Sequence, residues 1–307
     1  MIFILVALAS VATNYFFYDE IHEWRVGVER RLRDEAAHLI DRFPAWVELF
    51  NGTNFAHQIQ ADEPHPPLSA KFPVVLMPGV ISSGIELWHG YPCALRLKSF
   101  REKMWGGASL LKQIIMDKEC WLDHLKLDPK TKLDPLNIKL RASQGFDASD
   151  YLFPGFWVWG KLLESLALIG YESNSMYMAS YDWRLPFKNL EIRDAYFTRL
   201  KFNIEMLHNR QKAKVVIIGH SMGSILFYYF SQWIAHPEYG NAGIDWVDNH
   251  IASFVNVGGV MLGTPKALTT LLSGEAEDTA VGEYLSSHLV DRFIFSKHQR
   301  AALFRSD

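Results

Sequence analysis

The chain is poor in cysteine, with 2 in 307 residues, and it has no excess of basic charge: 31 Lys and Arg stand against 34 Asp and Glu, a formal net charge of −3. The first shortage excludes a small scaffold stapled by several disulfides. The second, with no basic run to offset it, removes the electrostatic footprint of a nucleic-acid binder. Also missing are an H-E-x-x-H pair, paired C-x-x-C motifs, a Gly-rich phosphate-cradling loop, any internal repeat and any low-complexity tract. The 12 histidines are scattered, so neither a metal site nor a cofactor is expected. Apolar residues, by contrast, make up 49% of the chain, enough for a large core, and one α/β domain with a short anchor fits this length better than two domains.

Met1 to Phe17 is apolar apart from Ser10, Thr13 and Asn14. As a helix it spans about 26 Å, close to the thickness of the thin endoplasmic-reticulum bilayer. An uncleaved membrane anchor over residues 1–18 is the expectation. A cleaved signal peptide is the first alternative: Ala7-Leu8-Ala9 resembles a cleavage site, although a basic n-region is lacking. A buried helix is the second. Asp19, Glu20 and Glu23 follow directly and no Lys or Arg appears before Arg25, which puts the body of the protein on the lumenal side. The glycosylation sequon Asn51-Gly52-Thr53 points the same way. Residues 19–71 read as an amphipathic helix over Glu20 to Arg42 and a proline-rich linker over Ala61 to Pro67, with the folded domain over residues 72–307. Cys93 and Cys120 bracket a segment rich in Arg, Lys, Met, Trp and Gly; they are either buried free thiols or a bridge closing that loop in a secretory compartment.

The sharpest local signal runs from Val215 to Gly223. Val215-Val216-Ile217-Ile218 suits a buried parallel strand, and Ser224 to Ile234 suits a helix that packs back on the sheet. Between them Gly219 and Gly223 flank Ser221 at G-x-S-x-G spacing, where missing side chains let strand and helix approach and leave the serine exposed. Ser221 is therefore the candidate nucleophile for an ester or acyl carbonyl. Its oxyanion needs backbone donors aimed in advance. Met222 supplies one, and Val80, in the loop after the apolar run Pro73 to Met77, is the candidate for the other.

Elsewhere Phe153 to Tyr171 places Trp157, Trp159, Leu162, Leu163, Leu166 and Ile169 at helical spacing, read as core packing rather than lipid contact. Ser175 to Ser180 and Ile251 to Val257 read as strands, and Asn189 to Arg210 as amphipathic and helical. Helix and strand thus alternate as a doubly wound parallel sheet demands.

With these residues in view the chain resembles the lecithin:cholesterol acyltransferase family, and within it the phospholipid:diacylglycerol acyltransferase branch. The resemblance rests on Pro78-Gly79-Val80-Ile81-Ser82, Cys120-Trp121, Gln144-Gly145-Phe146-Asp147, Tyr181-Asp182-Trp183-Arg184, the Ser221 elbow and Gly274-Glu275. It implies an α/β-hydrolase fold and a membrane enzyme that moves a fatty acyl group from a phospholipid, through acyl-Ser221, to diacylglycerol, forming triacylglycerol. It also implies a lid over residues 93–120 closed by a Cys93 to Cys120 disulfide, with Trp105 presenting an amphipathic ring to lipid, and a structural ion pair or hydrogen-bonded turn at Asp182 and Arg184 rather than a direct catalytic role. A phospholipase using water as acceptor, or a catalytically silent membrane-anchored lipid-binding fragment, are the rival readings.

One departure from the family pattern stands out. The triad carboxylate and histidine belong after strands beyond the elbow, and only Ile251 to Val257 reads as a strand there. Asp245, Asp248 and His250 precede it, at the wrong end of the sheet, while Asp278, His288, Asp291 and His298 make a poor triad. The expectation is an N-terminal portion of the enzyme, lacking its C-terminal strands and nearly inactive alone.

Overall fold

The computed structural model describes residues 68–95, 100–107, 110, 118–152 and 157–265. Within them the strands are β1 (Val74–Met77), β2 (Ile85–His89), β3 (Lys103–Trp105), β4 (Lys139–Ala142), β5 (Met176–Met178), β6 (Val215–His220) and β7 (Ile251–Val257). The helices are α1 (Pro92–Leu95), α2 (Lys118–Leu125), α3 (Gly160–Leu168), α4 (Phe187–Asp194), α5 (Tyr196–Gln211), α6 (Met222–Ala235) and α7 (Trp246–His250). The segments expected over residues 1–18, 20–42, 51–53 and 61–67, and Asp278, His288, Asp291 and His298, lie outside the described residues. Among the described residues no helix is long and apolar enough to cross a membrane.

The short apolar runs pair as a parallel sheet in the order β5-β1-β6-β7. Strand periodicity divides β1 between two cores. Val74 and Leu76 pack with Met176, Met178, Trp159 and the half-buried leucines of α3. Val75 and Met77 face the other way, onto Phe197, Leu200 and Ile204 of α5 and Leu226 and Phe230 of α6. Helices on both faces of a parallel sheet make this an α/β architecture. At the edge, β7 has no fully buried residue, and Val255 and Val257 are exposed.

A second sheet, unforeseen from the sequence, is antiparallel in the order β3-β2-β4. Ile85, Leu87, Met104 and Leu140 from its strands and Trp121, Leu122 and Leu125 from α2 form its own core. The indole N–H of Trp121 donates to the Met104 carbonyl at 2.8 Å, so helix and sheet are tied by a buried hydrogen bond.

The helical stretch Asn189 to Arg210 is divided between α4 and α5. Ala195 adopts a left-handed φ of 47° and caps α4 through its N–H to Glu191 O. The Glu191 carboxylate then accepts from the N–H groups of Phe197 and Thr198 at 2.8 and 3.1 Å, satisfying the first turn of α5. An acidic residue at the end of one helix thus starts the next.

Asp182 and Arg184, on the segment leaving β5, sit in a buried ion network. Arg184 Nη2 lies 2.6 Å from Asp182 and 2.9 Å from Asp134; Arg193 lies 2.9 Å from Asp182 and 3.2 Å from Asp134. Burial opposes a charged Asp182, but Arg184 and then Arg193, through charge and hydrogen bonds, outweigh it and hold its pKa below the ordinary value. A depressed carboxylate contributes stability that is complete above its unfolded pKa and lost as pH falls through the folded one. Asp182→Asn is therefore expected to cost on the order of 3–5 kcal/mol in urea unfolding at pH 7. The wild-type protein should also lose stability more steeply than the variant below about pH 4.

Candidate active site

The strands β1 and β6 are parallel neighbours with Met77 opposite Gly219, so the loop after β1 and the turn after β6 emerge side by side at the carboxyl edge. Ser221 is that turn. Its φ of 53° and ψ of −123° lie in a region that non-glycine residues rarely occupy, a strain held by the surrounding bonds. Its N–H donates to Val257 O at 3.0 Å, its carbonyl accepts from Ser224 N–H at 3.1 Å, and Ser224 Oγ donates to Gly219 O at 2.8 Å. The turn is thereby fastened to the end of β7 and to the first turn of α6.

Two glycines explain how the two loops come so close. A Cβ on Gly223 would strike the Met77 carbonyl oxygen and lie 2.6 Å from Pro78 O; one on Gly79 would lie 2.8 Å from the Ser221 Cβ. No other residue fits either place. The backbone N–H groups of Val80 and Met222 therefore flank the serine, and among the described residues neither makes a hydrogen bond. Met222 also opens α6, a 14-residue helix, whose dipole favours negative charge there.

The Val80 loop is held from two sides. Trp105, on β3, donates its indole N–H to Val80 O at 2.9 Å and packs on Trp183 with ring centres 5.0 Å apart. Ser82 Oγ accepts from Gly79 N–H at 3.0 Å and from the Trp159 indole N–H at 3.2 Å. Ser82 and Trp159 carried no functional reading in the sequence: they are 77 residues apart, and no local motif links them. His220, half-buried before the nucleophile, has its pKa lowered by burial, so its imidazole is neutral at neutral pH.

Cys93, in α1, and Cys120, in α2, are bonded through their sulfurs with Cα atoms 6.2 Å apart. Below them lies the buried His124. Its Nε2 accepts from Tyr91 N–H at 3.0 Å, which leaves Nδ1 to donate to Cys120 O at 2.6 Å. Cys93, Cys120 and His124 lie within 4.8 Å of one another, but sulfurs bonded to each other are not thiolate ligands for a metal.

Other sequence candidates lie elsewhere. Val215 pairs with Ile251 and His220 with Val257, so Asp245, Asp248 and His250, around α7, sit at the sheet end opposite Ser221. Lys214 donates to Asp248 O and His250 Nδ1 bonds Trp246 O, both ordinary helix-end contacts. Among the described residues Ser221 Oγ forms no hydrogen bond with an imidazole or carboxylate. A cavity of about 410 Å³ beside α3, lined by Phe146, Trp157, Leu163 and Met176, includes none of the elbow residues.

A mostly parallel α/β sheet with a strained serine at a strand-to-helix elbow defines the structural class. The sequence profile of the lecithin:cholesterol acyltransferase family matches residues 99–299, and the chain belongs to that family. It is 50% identical over 234 residues to a phospholipid:diacylglycerol acyltransferase of Schizosaccharomyces pombe, covering 76% of this chain and 37% of the relative. It is 46% identical over 243 residues to the Saccharomyces cerevisiae protein of the same name, covering 78% and 37%. A lysosomal phospholipase A and acyltransferase of Bos taurus is 31% identical over 232 residues, covering 69% and 53%. The chain thus spans 37% of the length of the two yeast relatives.

Non-reducing peptide mapping of protein from an oxidising compartment is expected to recover Cys93 and Cys120 in one cross-linked fragment. With a sequence separation of 27 between them, reduction should lower the unfolding free energy by roughly 3–4 kcal/mol.

Proposed function

We propose that this chain carries the acyl-transfer site of a phospholipid:diacylglycerol acyltransferase. The observation that carries the reading is the Ser221 elbow, with its positive φ and the unbonded N–H groups of Val80 and Met222 beside it. The names of the yeast relatives supply the donor and acceptor. In the first half-reaction Ser221 Oγ attacks the phospholipid ester carbonyl and its proton passes to a general base. The carbonyl oxygen becomes an oxyanion held by the Val80 and Met222 N–H groups. Collapse breaks the ester bond, and the lysophospholipid leaves with the proton. In the second half-reaction a diacylglycerol hydroxyl attacks acyl-Ser221 by the same route, giving triacylglycerol and free serine.

The domain assignment follows the same reading: an anchor over residues 1–18, a helix and linker over residues 19–71, and an acyltransferase domain of α/β-hydrolase fold over residues 72–307. The segment over residues 93–120 serves as a lid, with Trp105 as its lipid-facing ring. We place the catalytic body in the endoplasmic-reticulum lumen. The uncharged first 17 residues, the acidic flank after them, the Asn51 sequon and the bonded cysteines support that placement.

Ser221→Ala is expected to abolish transfer of label from phospholipid to diacylglycerol in the intact enzyme, a loss of at least about 1,000-fold, while thermal unfolding stays cooperative and near wild type. Near-normal triacylglycerol synthesis by the purified variant would end the assignment. Alkaline carbonate extraction should leave the protein with membranes; its release, or a mature N-terminus after Ala9 or Thr13, would identify Met1 to Phe17 as a cleaved signal.

A further inference from the structure

An oxyanion donor is useful only if it is aimed before the charge develops. The Val80 N–H belongs to the peptide that joins Gly79 to Val80, so whatever holds the Gly79 carbonyl sets the direction of that N–H. Gly79 cannot hold itself. It has no side chain to pack, and none is tolerated 2.8 Å from the Ser221 Cβ.

Accepting the reading of Ser221 as nucleophile, we infer that Trp159 is a positioning residue that aims the Val80 N–H through the hydroxyl of Ser82. Ser82 Oγ accepts two hydrogen bonds, from Gly79 N–H at 3.0 Å and from Trp159 Nε1–H at 3.2 Å. With both acceptor positions used, its own hydrogen is directed at the Gly79 carbonyl oxygen, 3.5 Å away. One hydroxyl thus holds both ends of Gly79. Trp159 makes its orientation single-valued, because without the indole donor the Oγ would be free to turn its hydrogen elsewhere. No water competes: Ser82 is 1% exposed and Trp159 3%. Low local polarity also strengthens the chain of bonds. The same indole stands edge-on to His220, the residue before the nucleophile, with ring centres 6.0 Å apart. Trp159 therefore touches both halves of the site, the loop bearing Val80 and the strand delivering Ser221.

The test uses Trp159→Phe, Ser82→Ala and the double variant in the intact acyltransferase. Phenylalanine keeps a ring against His220 and removes only the donor. The expected result is a fall in kcat of about 10- to 100-fold, below the roughly 100- to 1,000-fold that follows outright loss of an oxyanion donor. KM should stay within about twofold and the thermal midpoint near wild type, since transition-state stabilisation alone is weakened. Labelling of Ser221 by an alkyl fluorophosphonate, whose tetrahedral adduct places an oxygen in the hole, should slow by the same factor as kcat. The double variant should be no worse than the more impaired single variant, because both cut one chain of bonds. Wild-type kcat and labelling rate in Trp159→Phe would overturn the inference, as would additive losses that track a falling thermal midpoint. If Trp159→Phe does not fold, Ser82→Ala decides by the same measurements. Full turnover in Ser221→Ala would instead remove the nucleophile itself, an outcome distinct from failure of the Trp159 inference.

Discussion

The Arg184 guanidinium donates to Asp182 at the exit of β5, to Asp134 on the approach to β4, and to the Leu125 carbonyl at the end of α2. Those three partners belong to the parallel sheet, to the antiparallel sheet and to the helix that carries Cys120. A planar fork with five donors reaches all three at once, which a lysine ammonium does not. Burying such a charge is costly, and only the two carboxylates, with Arg193 sharing both, offset it. The network's consequence is positional more than energetic. It fixes where the small sheet docks, and the small sheet brings Trp105 to Val80.

That docking bears on the proposed chemistry. Transfer to an alcohol rather than to water requires an acyl-enzyme shielded from solvent. Trp105 commits its only polar atom to Val80 O, so the rest of its ring, packed on Trp183, offers apolar surface beside the loop. The Cys93 to Cys120 bond and the His124 bridge to Tyr91 fasten Tyr91 and Cys93 to α2.

What was legible in the sequence is what local chemistry determines. The Val215 strand, the serine turn and the helix after it are specified by one continuous run of residues, as is Ile251–Val257, whose bounds agree with the structure. The pairing of Asp182 with Arg184 was legible through the resemblance of Tyr181-Asp182-Trp183-Arg184 to the family's motif; their partners Asp134 and Arg193, outside that motif, were not. The antiparallel sheet escaped notice because its strands are 3 to 5 residues long and carry Lys103, Glu86 and Arg141. Alternation is present, as in Lys139-Leu140-Arg141-Ala142, but over 3 to 5 residues it is too short to mark a strand, and partners such as Arg101, 2.9 Å from Glu86, lie outside the strands. The break at Ala195 was hidden for a different reason: the left-handed residue is an alanine, and its support comes from a glutamate four residues earlier.

The site also shows why glycines that permit close approach demand tryptophans elsewhere. Gly79 and Gly223 let β1, the elbow and α6 meet at separations that a Cβ would forbid. Glycine, however, is the residue least able to hold a fixed backbone. A loop built on Pro78-Gly79-Val80 would by itself sample several peptide orientations, and the Val80 N–H would then have no fixed direction. Packing cannot supply the missing rigidity, because the side chains that would pack are the ones excluded. Hydrogen bonds to the loop's backbone can. They must come from long, stiff donors that reach in from other elements, which is the geometry of Trp105 on β3 and of Trp159 at the start of α3, acting through Ser82. The strained Ser221 and the loop facing it are thus held in one way, by hydrogen bonds to their backbone: Ser221 N–H to Val257 O, Ser224 N–H to Ser221 O, Gly79 N–H to Ser82 Oγ and the Trp105 indole to Val80 O.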